Sequence, residues 1–429
     1  MRYLLISAFM LSVLSSVTAQ DDYYPPIGDT TWQRVSLQDL GWNAARVDSL
    51  IAYAERTLSN SLIVLVGGRI AIEWYADGRT ATSPWYWASA GKTVTATLVG
   101  VLQQEGKLSV NDATSKYLGS GWTSLTPEQE ARITIWNQLT MTSGLDDRVA
   151  DPYCTDKTCL QYKAEPGTRW AYHNAPYTLL DGVIEAASGQ TFQAVLNRSL
   201  LDKTGMTGRF IASGYNNVMW STPRSMARFG LLAQRRFIWD GTPILTDTSY
   251  VNALTRPSQP LNPSYGYLWW LNGQPTYKLP GLQIDFKGPA LPDAPADAFN
   301  ALGKNNQMIS VSPSMNIVMV RTGDNPDSLL QGADVATTQA NDLWRLLRAA
   351  MPTSHIDADE GGLAIHGHTV HANSGSIGTC VITSVTGEQV VFEGGNASAV
   401  ELPALARGVY LLQVQLDGQT VVRRWSNLR

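Results

Sequence analysis

Ser89 and Lys92 stand three residues apart, where the aromatic, strand-like run Trp85-Tyr86-Trp87-Ala88 gives way to a long apolar segment. At the start of a helix that spacing puts a hydroxyl and an amine on one face, one turn apart. The helix N-terminus adds unpaired backbone N–H groups and the positive end of the dipole. A serine hydroxyl is a weak nucleophile at its own pKa and needs a neighbouring base, a task that a partly desolvated lysine can perform. Taken alone the tetrad has a bland reading, with Ser89 as an N-cap and Lys92 as a solvated helix lysine. The rest of the chain decides between the two.

After the tetrad, Thr93 to Leu102 has the pattern of a buried helix, and Gly106 suits its C-terminal stop. Leu139-Thr140-Met141-Thr142-Ser143-Gly144-Leu145 reads as a helix end running into a turn. Glu165-Pro166-Gly167 is a second turn, followed by a short strand and then Tyr172-His173-Asn174. In this order S-x-x-K, L-T-M-T-S-G-L, P-G-x-x-W-x-Y and Y-x-N resemble the serine β-lactamase and penicillin-binding-protein superfamily, over roughly residues 40–350. Within it they are most similar to the class C branch, which includes family VIII carboxylesterases and 6-aminohexanoate-dimer hydrolases.

The resemblance implies roles. Ser89 is the nucleophile, Lys92 and Tyr172 handle its proton, and Asn174 stands beside Lys92. The third motif departs from the β-lactamase pattern, because Phe299 to Gln307 contains neither K-T-G nor H-x-G. It aligns with the G-x-H-G-Q segment of the dimer hydrolases, which puts Lys304, between Gly303 and Asn305, where a backbone N–H joins that of Ser89 in an oxyanion hole. That role needs only an amide. The threonine and glycine that read a β-lactam carboxylate are missing, so ester hydrolysis is expected to exceed β-lactam hydrolysis.

These residues need a scaffold. The 429-residue chain is 44% apolar with 14 Trp, enough for a large core and an aromatic pocket, and its length favours more than one domain. A net charge of −4, without a basic run, argues against nucleic acid as a partner. The expected fold is α+β: an antiparallel sheet flanked by helices, a helical lobe, and a small C-terminal β-sandwich. A helix is expected over 40–58, a hairpin over 61–75, mostly helices and loops over 107–260, strands at 265–270, 307–311 and 317–321, and a closing helix over about 334–350.

Residues 1–19 read as a secretory signal peptide: Arg2, a short apolar core from Leu4 to Val17, and Val17-Thr18-Ala19 as cleavage site. A lead-in follows over 20–40, the hydrolase domain over 41–352, a linker over 353–365 and the sandwich over 366–429. Within the sandwich, the runs 385–391 and 402–412 resemble the C-terminal sorting domain of the type IX secretion system, although its usual opening P-N-P is absent. That resemblance implies secretion machinery as a partner, passage through the periplasm, and a secreted or cell-surface destination. The competing reading is an accessory sandwich that stabilises the enzyme or binds a partner.

Export permits a disulfide, and Cys154 and Cys159 have a spacing that can close a loop. His366, His368 and His371 form H-x-H-x-x-H, but two histidines on one strand face are too few for a closed zinc site, and no cofactor is expected. His173 is expected to point away from Tyr172 and Asn174. Of Trp85, Trp87, Tyr153, Trp220, Trp269 and Trp270, some should line a pocket mouth and the rest the core. The sequence therefore reads as an exported serine hydrolase of small esters or amides, acting through an acyl-enzyme. The alternatives are a β-lactamase or D-amino-acid peptidase of the same fold, or a non-catalytic cell-wall or surface-binding module.

Overall fold

Runs of Val, Ile and Leu bounded by turn residues pair into one sheet. The computed structural model describes residues 22–28, 31–325, 337–352, 363–366, 369–372, 376–384, 389–403, 408–416 and 419–427. The expected signal peptide, His368, residues 353–362 of the expected linker, and 385–388 and 404–407 of the sorting-domain runs lie outside these. The chain divides into two units, 1–39 with 44–347, and 40–43 with 348–429.

In chain order the strands of the first unit that bear on the site are β1 (Ser59–Val66), β2 (Arg69–Tyr75), β3 (Trp85–Tyr86), β4 (Arg209–Ser213), β5 (Asn216–Ser221), β6 (Trp270–Leu271), β7 (Phe299–Gly303), β8 (Gln307–Ser312) and β9 (Ile317–Gly323). Six of them form an antiparallel sheet in the order β2-β1-β9-β8-β7-β6, and β3, β5 and β4 form a smaller one. The helices that matter are α1 (Ala44–Arg56), α2 (Lys92–Gln104), α3 (Asn174–Thr178), α4 (Leu180–Ser188), α5 (Pro223–Gln234) and α6 (Thr338–Ala350).

β7, β8 and β9 are buried along their whole length, so both faces are covered. On one face α5 packs so closely that a Cβ on Gly230 would lie 2.4 Å from the Val318 side chain. On the other, Trp344 of α6 donates its indole N–H to Ser310 Oγ at 2.8 Å. α2 is buried on all sides from Lys92 to Leu102, which is why its sequence is apolar all round instead of striped. Two of its threonines are satisfied locally: Thr93 and Thr97 donate to the carbonyls of Ala90 and Thr93.

Two expectations need correction, for residues 265–270 and for the end of the linker. The aromatic run 265–270 is a turn, not a strand: Gly266 N–H bonds the Trp269 carbonyl, Leu268 has φ +63°, and only Trp270–Leu271 joins β7. Burial on every side gave it the composition of a strand. The region 107–260 is mostly helices and loops, as expected, and adds the hairpin β4–β5, with Phe210 and Ile211 on one arm and Val218 and Trp220 on the other flanking Gly214-Tyr215. The end of the expected linker is strand Leu363–His366, which pairs with Thr369–Ala372.

In the second unit a three-stranded sheet (Leu363–His366, Thr369–Ala372, Ala399–Glu401) and a four-stranded one (Ile377–Ser384, Gln389–Ala397, Gly408–Leu416, Gln419–Asn427) are both antiparallel. They share an apolar cluster: Val370 and Leu402 pack with Ile377, Cys380, Ile382, Leu412, Val414 and Leu416.

Candidate active site

The chain enters the site from β3 through a single 3₁₀ turn, Ala88–Gly91, which continues into α2. Trp87 pins this turn to β5, its backbone N–H on the Met219 carbonyl at 2.8 Å and its indole N–H on Ser221 Oγ at 2.6 Å. Ala88, immediately before Ser89, has φ +48°, a left-handed conformation that costs a non-glycine residue on the order of 1–3 kcal/mol. Ser89 is not a helix cap, since neither the turn nor α2 has a side-chain cap bond. Its Oγ instead accepts a hydrogen bond from Lys92 Nζ at 3.0 Å.

Lys92 is 4% exposed, and a buried polar group is costly unless it is hydrogen-bonded. It donates to Asn174 Oδ1 at 2.7 Å as well as to Ser89, and its Nζ lies 5.2 Å from the ring centre of Tyr172 and 4.3 Å from that of Tyr177. The four residues expected to act together thus meet around the Lys92 side-chain nitrogen. Tyr172 presents its ring to Lys92 and stacks on Trp270 with centroids 5.8 Å apart. Tyr177, which the sequence reading passed over, is fully desolvated, so burial pushes its phenol well above the usual range; its hydroxyl is 3.2 Å from Thr95 Oγ1.

The two middle motifs hold Tyr172 and Asn174 in place. Ala171 N–H bonds the Met141 carbonyl, Gly167 N–H bonds that of Thr142, and Gln138 Nε2 reaches the Pro176 carbonyl in α3 at 2.7 Å. Gly144 sits at φ +77°, and a Cβ there would be 2.2 Å from the Ala164 carbonyl oxygen. The L-T-M-T-S-G-L motif is a clamp for the Tyr172–Asn174 segment.

At the end of β7, a Cβ on Gly303 would lie 2.5 Å from the Trp87 carbonyl oxygen and 3.0 Å from the Ser89 nitrogen. Only glycine lets the strand end approach the serine turn this closely. The following turn is bent sharply, with Asn305 at φ +58° and Asn306 at +59°. Fully buried Arg321 of β9 grips it from beneath, donating to the Asn305 carbonyl at 2.6 Å; desolvation draws this guanidinium down to about 9. Asn305 turns its side chain to Tyr86, donating to the phenol oxygen at 2.8 Å. Of the three residues named for this strand, Lys304 lines the pocket, while Gly303 and Asn305 shape the turn behind it.

The pocket above Ser89 has a volume of about 580 Å³. Ser89, Lys92, Asn174 and Tyr177 form its floor, and β4–β5 supplies a wall through Ile211, Ala212, Ser213, Asn216, Asn217, Val218 and Trp220. Tyr153 closes another side from the loop in which Cys154 and Cys159 are joined as a disulfide. Asp156 within that loop accepts a hydrogen bond from Tyr215 at the hairpin tip, at 2.6 Å. The aromatics sort accordingly: Tyr153 and Trp220 face the pocket, while Trp87, Trp269 and Trp270 are core. Trp85, partly exposed, carries Arg79 over its ring.

Half-buried Asp181 and buried His173 flank this apparatus. Asp181 of α4 has its carboxyl pushed up to about 7 by desolvation, with the charge of Glu185 adding to the rise and the bond from Asn217 opposing it. His173 is buried, both ring nitrogens lack a partner among the described residues, and desolvation draws it down to about 4. Among the described residues no group of three or more His, Cys, Asp or Glu is placed to hold a metal ion.

Comparison with known proteins gives this geometry a family. The Beta-lactamase family model matches residues 44–326, well over half of the chain. The chain belongs to the Beta-lactamase family. It has the β-lactamase fold, and Ser89, Lys92, Tyr172 and Asn174 all fall within the matched segment. The chain is similar to the Bacillus subtilis (strain 168) protein described as penicillin-binding protein PbpX, 29% identical over 140 residues, 31% of this chain and 34% of the relative. That alignment spans about a third of the relative's length. Among solved structures, one described as a 6-aminohexanoate-dimer hydrolase from Bacillus anthracis superposes with a TM-score of 0.56 at 17% identity, over 76% of this chain and 88% of the other. A penicillin-binding protein homologue from Caulobacter crescentus does so with a TM-score of 0.53 at 14% identity, over 72% and 99%. These likenesses show the shared fold.

Proposed function

We propose that the chain is an exported carboxylesterase-like hydrolase of the class C type that acylates Ser89 with small esters or amides. The observation that carries the reading is the placement of Lys92 Nζ, 3.0 Å from Ser89 Oγ and 2.7 Å from Asn174 Oδ1, on the floor of an open pocket. Ser89 Oγ attacks the substrate carbonyl while Lys92 and Tyr172 take its proton. The backbone N–H groups of Ser89 and Lys304 receive the developing oxyanion, a role supported by the close approach of Gly303 to the Ser89 nitrogen. Collapse breaks the bond to the alcohol or amine, which leaves with the proton. Water then attacks the acyl-enzyme, gives its proton back through the same groups, and releases the acid and free Ser89. The sequence of residues 1–19 and the resemblance of the second unit to a sorting domain support export to the cell surface.

Treatment with a fluorophosphonate followed by peptide mass spectrometry should place the adduct on Ser89, and kcat/KM for p-nitrophenyl butyrate should exceed that for nitrocefin. An unlabelled Ser89 together with no ester turnover would overturn the reading in favour of a binding module. Faster nitrocefin hydrolysis would overturn the substrate assignment.

A further inference from the structure

Asp181 is a titratable group that acylation does not use, and it stands directly behind the pocket wall. It lies in the first turn of α4, where its Oδ2 accepts a hydrogen bond from Asn217 Nδ2 at 2.8 Å. Its Oδ1 is shielded from solvent and has no partner among the described residues. Asn217 belongs to β5 and lines the pocket, with Ser213 and Asn216 beside it. The donor and acceptor arms of a carboxamide diverge from a planar carbon by about 120°, so a carboxyl that takes Nδ2 from behind leaves Oδ1 off its own line and free to accept from the pocket side. The elevated Asp181 does not undo this. When the carboxyl is protonated, the proton belongs on the unpartnered Oδ1, and Oδ2 stays an acceptor in both forms.

We propose that Asn217, aimed by Asp181, is a hydrogen-bond acceptor for a secondary-amide N–H of the substrate, so that the site favours amide-bearing compounds such as N-acylated amino-acid esters over plain carboxylic esters. This rests on the hydrolase reading of Ser89 and names the substrate class for it. Asn217 binds substrate; Asp181 acts through it as a positioning residue. The chemistry follows the asymmetry of polar recognition: a pocket acceptor meeting a methylene in place of N–H is left unpaired, and that penalty discriminates.

The test uses the full chain and substrates that differ only by N–H against CH₂. Ethyl hippurate and ethyl 3-benzoylpropionate probe the acyl side; the acetate esters of N-acetylethanolamine and 5-hydroxypentan-2-one probe the leaving side. In one of the two pairs the amide should be preferred about tenfold in kcat/KM, the worth of one good hydrogen bond. Asn217→Ala should bring that ratio to near one. Asp181→Leu should lower it to about threefold, and Asp181→Asn, which keeps an acceptor, should restore it. Because the readout is a ratio measured on one preparation, partial misfolding of a variant does not move it. Ratios near one in wild type for both pairs, or a ratio unchanged in Asn217→Ala, overturn the proposal while ester turnover and Ser89 labelling leave the hydrolase reading standing. If no substrate is turned over and Ser89 is unlabelled, the hydrolase reading falls and takes this proposal with it.

Discussion

The floor of the pocket and its outer wall handle their polar groups in different ways. On the floor Lys92 is 4% exposed, shares its protons with Ser89 and Asn174, and lies between two aromatic rings. The strand end facing it is locked by a glycine contact and a buried arginine. On the wall Ile211 and Tyr215 are 37% and 38% exposed, and the hairpin tip is tied to the disulfide loop by one surface bond from Tyr215 to Asp156. An exposed bond of that kind contributes little, whereas an unpaired charge on the floor would cost several kcal/mol. The fold therefore buries the groups on the floor, while the hairpin wall, anchored at its base through Trp87, carries an exposed tip.

The largest effects should come from the floor. Ser89→Ala should lower kcat by at least about 10³-fold for every substrate while leaving the melting temperature nearly unchanged, since it removes one hydroxyl and no packing. Lys92→Ala should be almost as severe, and the double variant no worse than either, because the pair acts in one step. Residual turnover above a few per cent of wild type, measured with p-nitrophenyl butyrate, would remove Ser89 from the mechanism.

Gly303→Ala and Tyr215→Phe test the contrast directly. The alanine Cβ would be driven into the Trp87 carbonyl and push the strand end off the serine turn, so kcat should fall on the order of 100-fold for short and long acyl groups alike. Tyr215→Phe should leave kcat alone and change KM by no more than about threefold, mainly for long acyl groups. A uniform loss of kcat in Tyr215→Phe would show that the wall takes part in the chemistry.

The smallest effect on catalysis and the clearest on stability belongs to His173. Its folded pKa near 4 lies below the ordinary value of 6.5, so the unfolded chain takes up a proton first as pH falls. Stability from this residue is complete above pH 6.5 and is lost as pH falls from 6.5 towards 4, a change on the order of 3 kcal/mol. His173→Leu should flatten that slope in urea titrations at pH 7 and pH 4. An unchanged slope would mean that the ring finds a partner when protonated.

Much of the site could be read from residue order, because catalysis by a serine and a lysine constrains local sequence. Ser89 and Lys92 need one helical turn between them, and Tyr172 and Asn174 need one short segment, so their spacing survives in the chain as motifs. The hairpin at 61–75 and the strands at 307–311 and 317–321 were equally legible, since paired strands with turn residues leave a local pattern. The turn at 265–270 was not, because residues buried on every side lose the periodicity that separates strand from turn. Nor was Tyr177, whose five-residue distance from Tyr172 has no chemical meaning until α3 brings its ring against Lys92. The hairpin β4–β5 carried a Gly214-Tyr215 turn signal that could have revealed it.

By itself, then, the sequence determined that Ser89, Lys92 and Asn174 belong to one site, and the family to which the chain belongs. Only the tertiary structure decided that Arg321 supports the turn at 304–306, that Tyr215 meets Asp156, and that Asn217 of the pocket wall bonds Asp181. The physical reason is distance along the chain: groups that act within one turn of helix leave a spacing in the sequence, whereas contacts between remote segments depend on packing, which no local pattern encodes.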